Sequence, residues 1–113
     1  MTAPRPDSPS LAERASGALL AHAAGNALGV PTEFLHTPDA ILAEFPGGVR
    51  DIIRRDTPQS PFDDDVAMAL LLAEELLAGD VDLERLAGRW IRWLDTDGRG
   101  AGNWTRTALN HIR

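Results

Sequence analysis

The chain has 113 residues, 43% hydrophobic and 25% charged, with a formal net charge of −6 and no cysteine. That length fits one domain and buries roughly 60 to 70% of the surface of its unfolded form, which allows a thin core. The acidic balance argues against binding a nucleic-acid backbone, and the lack of cysteine excludes disulfides and thiolate metal sites, which suits a reducing cytoplasm.

Residues 1–10, MTAPRPDSPS, hold three prolines and no apolar signal segment, and are expected to form a frayed tail ahead of a domain over 11–113. Ser10 and Glu13 have the spacing of a capping box, and Leu11, Ala15, Ala18, Leu19, His22, Ala23 and Asn26 then recur at three and four. The spacing predicts a helix over 11–28. Gly17, Ala18, Ala21, Ala24 and Gly25 keep its surface shallow, each glycine costing about 1 kcal/mol of helix propensity, so a central place in a bundle is expected. His22 is expected in the core. Gly29, Val30 and Pro31 end the helix, since a residue before proline avoids the helical region.

Thr37 and Pro38 start a short helix that Pro46, Gly47 and Gly48 stop. Residues 49–53 fit either a stray strand or a helical turn, and 56–62 an irregular loop. Residues 66–73 are wholly apolar, too short a run to cross a bilayer, which needs roughly 18 residues, and no membrane association is expected. The helix containing them ends at Gly79; it is apolar nearly all round, so burial is expected, with Glu74 and Glu75 on its wet edge. Asp82 caps the next helix, whose stripe is Leu83, Leu86, Ala87, Trp90, Ile91, Trp93 and Leu94. After DTDGRGAGNWTR, residues 104–113 form one more helical pattern without a terminator. No alternating strands appear, so the class is all-α.

Asp63, Asp64 and Asp65 stand directly before the apolar helix. Acids in a first turn gain about 0.3 to 1 kcal/mol each from the helix dipole. Two carboxylates near 4 Å apart repel by about 1 kcal/mol in water and about 4 at an effective dielectric of 20, so partial burial reverses that gain. The triplet therefore fits either a helix cap or part of a metal site. With oxygen donors alone nearby, the cation would be hard, Mg²⁺ rather than zinc, because His22, His36 and His111 show no ligand spacing. The stretch from Asp95 mimics the start of an EF-hand loop, but Arg99 and Arg106 occupy positions that need oxygen ligands, so it reads as a turn. Gly98, Gly100 and Gly102 precede a helix start at Asn103, fitting either a flexible turn or a run of backbone N–H groups open to an anion. Trp90, Trp93 and Trp104 read as core.

Three segments in order resemble the ADP-ribosylglycohydrolase (DraG-like) family. SGALLAHAAGNALGVPTEF is similar to its opening helix and following glutamate, FDDDVAMALLLAEELLAGDVDLERLAGRWIRWL to its Thr-Asp-Asp-Thr segment with two helices, and DGRGAGNWTRTAL to its glycine-rich loop. The resemblance implies an all-α orthogonal helical bundle, represented by its N-terminal helices, with a binuclear Mg²⁺ centre that hydrolyses a glycosidic bond of ADP-ribose on a protein side chain or small acceptor. It implies catalytic roles for Glu33, Asp64 and Asp65, metal ligation by Asp63, Asp64 and Asp65, and substrate contacts from Gly98, Gly100, Gly102 and Asn103. Three departures stand out: Asn26 replaces an aspartate, Asp63 a threonine and Val66 a second threonine. Family members are much longer, and a C-terminal segment supplies further aspartates. The expectation is therefore an N-terminal portion that alone hydrolyses little or nothing; the alternative is a truncated, non-catalytic relative that binds ADP-ribose or a protein partner.

Overall fold

The computed structural model describes residues 8–53 and 61–113, so most of the expected 56–62 loop and most of the tail lie outside the described residues. Among the described residues the fold is all-α: α1 (Leu11–Gly29), a 3₁₀ turn (Val30–Thr32), α2 (Pro38–Glu44), α3 (Asp64–Leu77), α4 (Leu83–Thr96) and α5 (Asn103–His111). Contacts run from α1 to α3, from α3 to α4 and from α4 to α5.

The helix starts follow local chemistry. At Ser10 the hydroxyl accepts from the Glu13 N–H at 3.2 Å while the Ser10 N–H donates to Glu13 Oε2 at 2.7 Å, a closed capping box. Thr37 accepts from the Ala40 N–H at 3.2 Å, with Pro38 at the first helical position, and Asp82 accepts from the Arg85 N–H at 3.0 Å. Gly79, at φ 122°, closes α3. Residues 49–53 form neither strand nor helix.

Burial departs from the sequence pattern more than the helices do. The buried apolar residues are Ala27 on α1, Val66 on α3, Leu86 on α4, Leu109 on α5 and Ala101 in the loop before α5, with none on α2. The radius of gyration is 17.8 Å, against about 13 Å for a compact domain of this length. Helix α1 is not central: it buries only Ala27, His22 is exposed, and a Cβ placed on Gly17 or Gly25 would meet nothing within 4 Å. Helix α3 is not enclosed either: Leu70, Leu72, Leu76 and Leu77 are all exposed, the last at 88%. Trp104 stands 87% exposed at the start of α5 rather than in the core.

Glu75 reverses its expected place. Its side chain is fully buried between α3 and α4, where Oε2 accepts from Arg85 Nε at 3.0 Å and Arg89 Nε at 3.1 Å. Oε1 pairs with Arg85 Nη2 and accepts from the Asp82 N–H at 3.2 Å. Four donors on one carboxylate satisfy a buried charge and hold its carboxyl below the usual range, led by the Arg85 hydrogen bond. Arg89 also reaches Glu74 at 3.1 Å, and Trp90 Nε1 donates to the Met68 carbonyl at 3.2 Å. These contacts fix α4 against α3 and so set where the loop after α4 falls.

Candidate functional site

The acidic triplet straddles the start of α3. Asp63 occupies the N-cap position, yet its side chain makes no capping hydrogen bond. It turns instead toward α1: Asn26 Nδ2 donates to Asp63 Oδ1 at 2.7 Å, and the Asp63 N–H donates to Asn26 Oδ1 at 2.9 Å. Asn26 Nδ2 also lies 3.4 Å from Asp65 Oδ2. The cap interpretation thus fails for Asp63 and holds, in dipole terms, for Asp64 and Asp65 in the first turn. Asp63 is buried, Asp64 half-buried and Asp65 exposed.

Each of the three aspartates offers a carboxylate oxygen within 4.8 Å of the others. Burial pushes the Asp64 carboxyl above the usual aspartate range, and the charges of Asp63 and Asp65 add to the rise, while the backbone N–H groups of Asp64 and Asp65 offset part of it. This is the electrostatic state of a cluster short of positive charge. The donor set is all oxygen, and His22, His36 and His111 all lie on exposed positions outside it. Such a set fits a hard cation and not the nitrogen and sulfur preferences of zinc.

Glu33 sits at the C-terminal end of the 3₁₀ turn, where the chain leaves α1. It lines a cleft of about 260 Å³ together with Asn26, Gly29, Val30, Asp63 and Asp65. Although Glu33 is exposed, its carboxyl lies above the usual glutamate range, first through partial desolvation and then through the field of Asp63, Asp64 and Asp65. A base or acid at this rim would therefore feel the charge state of the triplet.

The glycine-rich segment closes over the same acids. Gly98 and Gly100 adopt φ of 55° and 78°, a region that favours glycine. A Cβ on Gly100 would come within 2.6 Å of Asp64 Oδ1 and 2.7 Å of Asp63 Cβ, so only hydrogen fits there. Arg106 braces the segment from α5, with Nε donating to the Ala101 carbonyl at 2.9 Å and Nη2 to the Gly98 carbonyl at 2.8 Å. Gly102 and Asn103 continue onto the exposed start of α5, which has no side-chain cap. Asp97, just past α4, pairs with Arg99, and Asp95, in the last turn of α4, pairs with Arg113, so these acids are spent on ion pairs and not on a calcium loop.

The structure therefore brings Asp63, Asp64, Asp65, Glu33 and Gly100 together, whereas Gly102 and Asn103 stand farther along the loop. Two contributors escaped the sequence reading. Asn26 registered as a lost charge rather than as a tether, and Arg106 only as a residue unfit for an EF-hand. An amide on the α1 face leading to Glu33, and an arginine one turn into α5, were the available signals.

The sequence profile of the ADP-ribosylglycohydrolase family matches residues 7–113. The chain is similar to an ADP-ribosylarginine hydrolase of Serratia proteamaculans (strain 568), with 34% identity over 112 residues. That match covers 92% of this chain and 29% of the relative, so the chain spans under a third of the relative's length. No solved structure matches it.

Proposed function

The chain belongs to the ADP-ribosylglycohydrolase family, and from that premise we propose that residues 11–113 form one wall of the catalytic cleft of an enzyme that hydrolyses the glycosidic bond of ADP-ribose to an acceptor. The observation that carries the proposal is the junction of the acidic triplet with Gly100, which joins an oxygen-donor cluster to a loop whose close approach only glycine permits. The Serratia relative, named for arginine, favours an ADP-ribosylated arginine side chain as the substrate. A cytoplasmic setting belongs to the same proposal and rests on the cysteine-free sequence.

Asp63, Asp64 and Asp65 are the residues that would hold Mg²⁺, in a binuclear centre whose remaining ligands the resemblance puts beyond the matched region. Such ions, when bound, supply Lewis acidity, an acidified water and a template for ribose hydroxyls. Glu33, at the cleft rim, is assigned to position ribose or to move a proton; partial desolvation and the field of the triplet raise its affinity for a proton, which suits that task. The residues 98–103 loop is assigned to the diphosphate, with backbone N–H groups and the start of α5 as the positive end. Arg106 keeps that loop in place from behind.

The runner-up is a non-catalytic module that binds ADP-ribose or a protein partner, and the observation favouring it is the exposed leucines of α3, Leu70 and Leu77 on one side of the helix and Leu72 and Leu76 on the other. Titration calorimetry with ADP-ribose in the presence of Mg²⁺, on wild type and on Asp64→Ala with Asp65→Ala, tests the leading proposal. Mg²⁺-dependent heat in wild type that vanishes in the variant is expected. Equal heats in both proteins would remove the triplet from the site.

A further inference from the structure

Asn26 holds Asp63 with both ends of one amide. Its Oδ1 accepts from the Asp63 N–H at 2.9 Å, and its Nδ2 donates to Asp63 Oδ1 at 2.7 Å while reaching Asp65 Oδ2 at 3.4 Å. Among short side chains only asparagine offers a donor and an acceptor on one planar group. An ionised carboxylate at position 26 would set an oxygen against Asp63 Oδ1, where the amide now donates. Asp63 has no capping hydrogen bond of its own, so this pair fixes how its carboxylate is turned and ties the start of α3 to α1.

We propose that Asn26 is a positioning residue of the cation site: its amide locks the rotamer of Asp63, and the donor–acceptor match of the pair, rather than either residue alone, sets the affinity for a divalent cation. This inference rests on the cation reading of the triplet. Positions 26 and 63 are both departures from the pattern to which the sequence is similar. An amide facing a carboxylate and a carboxylate facing a hydroxyl are equally complementary.

The test has a metal-free arm and a Mn²⁺ arm, both on the full chain. In the metal-free arm, Asn26→Asp is expected to lower Tm, and adding Asp63→Thr to raise it again, so that the cycle is non-additive. In the second, Mn²⁺ affinity is read by electron paramagnetic resonance, and Asn26→Ala is expected to weaken it about ten-fold or more. Should Asn26→Ala not fold, Asn26→Gln, which keeps the amide but displaces it by a methylene, is expected to show the same weakening. An additive cycle would overturn the pairing whatever the metal does. Binding of Mn²⁺ that needs Asp64 but ignores position 26 would overturn the positioning role alone, whereas no Mn²⁺ binding by wild type would remove the cation site and this role with it.

Discussion

Replacing Gly100 with alanine tests the contact between loop and acids. Gly100 has φ 78°, where an L side chain costs about 1 to 2 kcal/mol from its own backbone. The added methyl would also meet Asp64 Oδ1 at 2.6 Å, Asp63 Cβ at 2.7 Å and Asp63 Cγ at 2.9 Å, all inside normal contact. Asp63 is held by Asn26, so the backbone of the loop must shift. Adding about 1 to 2 kcal/mol for that overpacking gives about 2 to 4 kcal/mol in total, a large share of the stability of any small domain. Gly102→Ala is the internal control: its φ of −70° is ordinary and nothing lies within 4 Å of the new Cβ, so a change within about 0.5 kcal/mol is expected. Urea unfolding followed by circular dichroism reads both variants. Equal midpoints for Gly100→Ala, Gly102→Ala and wild type would refute the close approach of the loop to the triplet.

Three further outcomes follow from the charges. Asp64→Asn removes one of three crowded carboxylates and is expected to stabilise the metal-free chain by about 1 kcal/mol while abolishing Mn²⁺ binding, a split read by unfolding and by titration of the same samples. Glu75→Ala leaves Arg85 and Arg89 without their shared partner and is expected to lower Tm more than Arg85→Ala, since Arg85 is half exposed and Glu75 is not. Because the folded-state pKa of Glu75 is depressed, its contribution is fully present above the ordinary value of 4.5 and is lost as pH falls through the lower folded value. Acid unfolding of Glu75→Gln should accordingly show a shallower loss of stability below pH 4.5 than wild type.

The helices were legible because their signals are local. The Ser10 and Glu13 box, Thr37 with Pro38, and Asp82 each act within one turn of themselves, and each forms as the spacing requires. The acidic triplet was legible for the same reason, as three adjacent charges state their own repulsion. Burial was not. An apolar helix such as α3 records that its leucines suit an apolar neighbour without naming one, and Leu70, Leu72, Leu76 and Leu77 stay exposed. Trp104 and the small-residue face of α1 misled in the same way.

The cross-helix polar contacts were hidden for a different reason. Glu75 reads as surface until the register of α3 against α4 is known, and then Arg85 and Arg89, one turn apart on α4, enclose it. Asn26 and Asp63 are 37 residues apart in sequence, and only the packing of α1 on α3 makes an amide there a partner rather than a missing charge.

Whether Asp63, Asp64 and Asp65 with the neighbouring loop form a cation site is decided by amide NMR spectra recorded during addition of Mn²⁺, whose unpaired electrons broaden nearby resonances. Broadening is expected at Asn26, Glu33, residues 63–66 and residues 98–101, before other parts of the chain. Broadening centred on Asp39, Asp80 or Glu84, or spread evenly over the acidic surface, would contradict it.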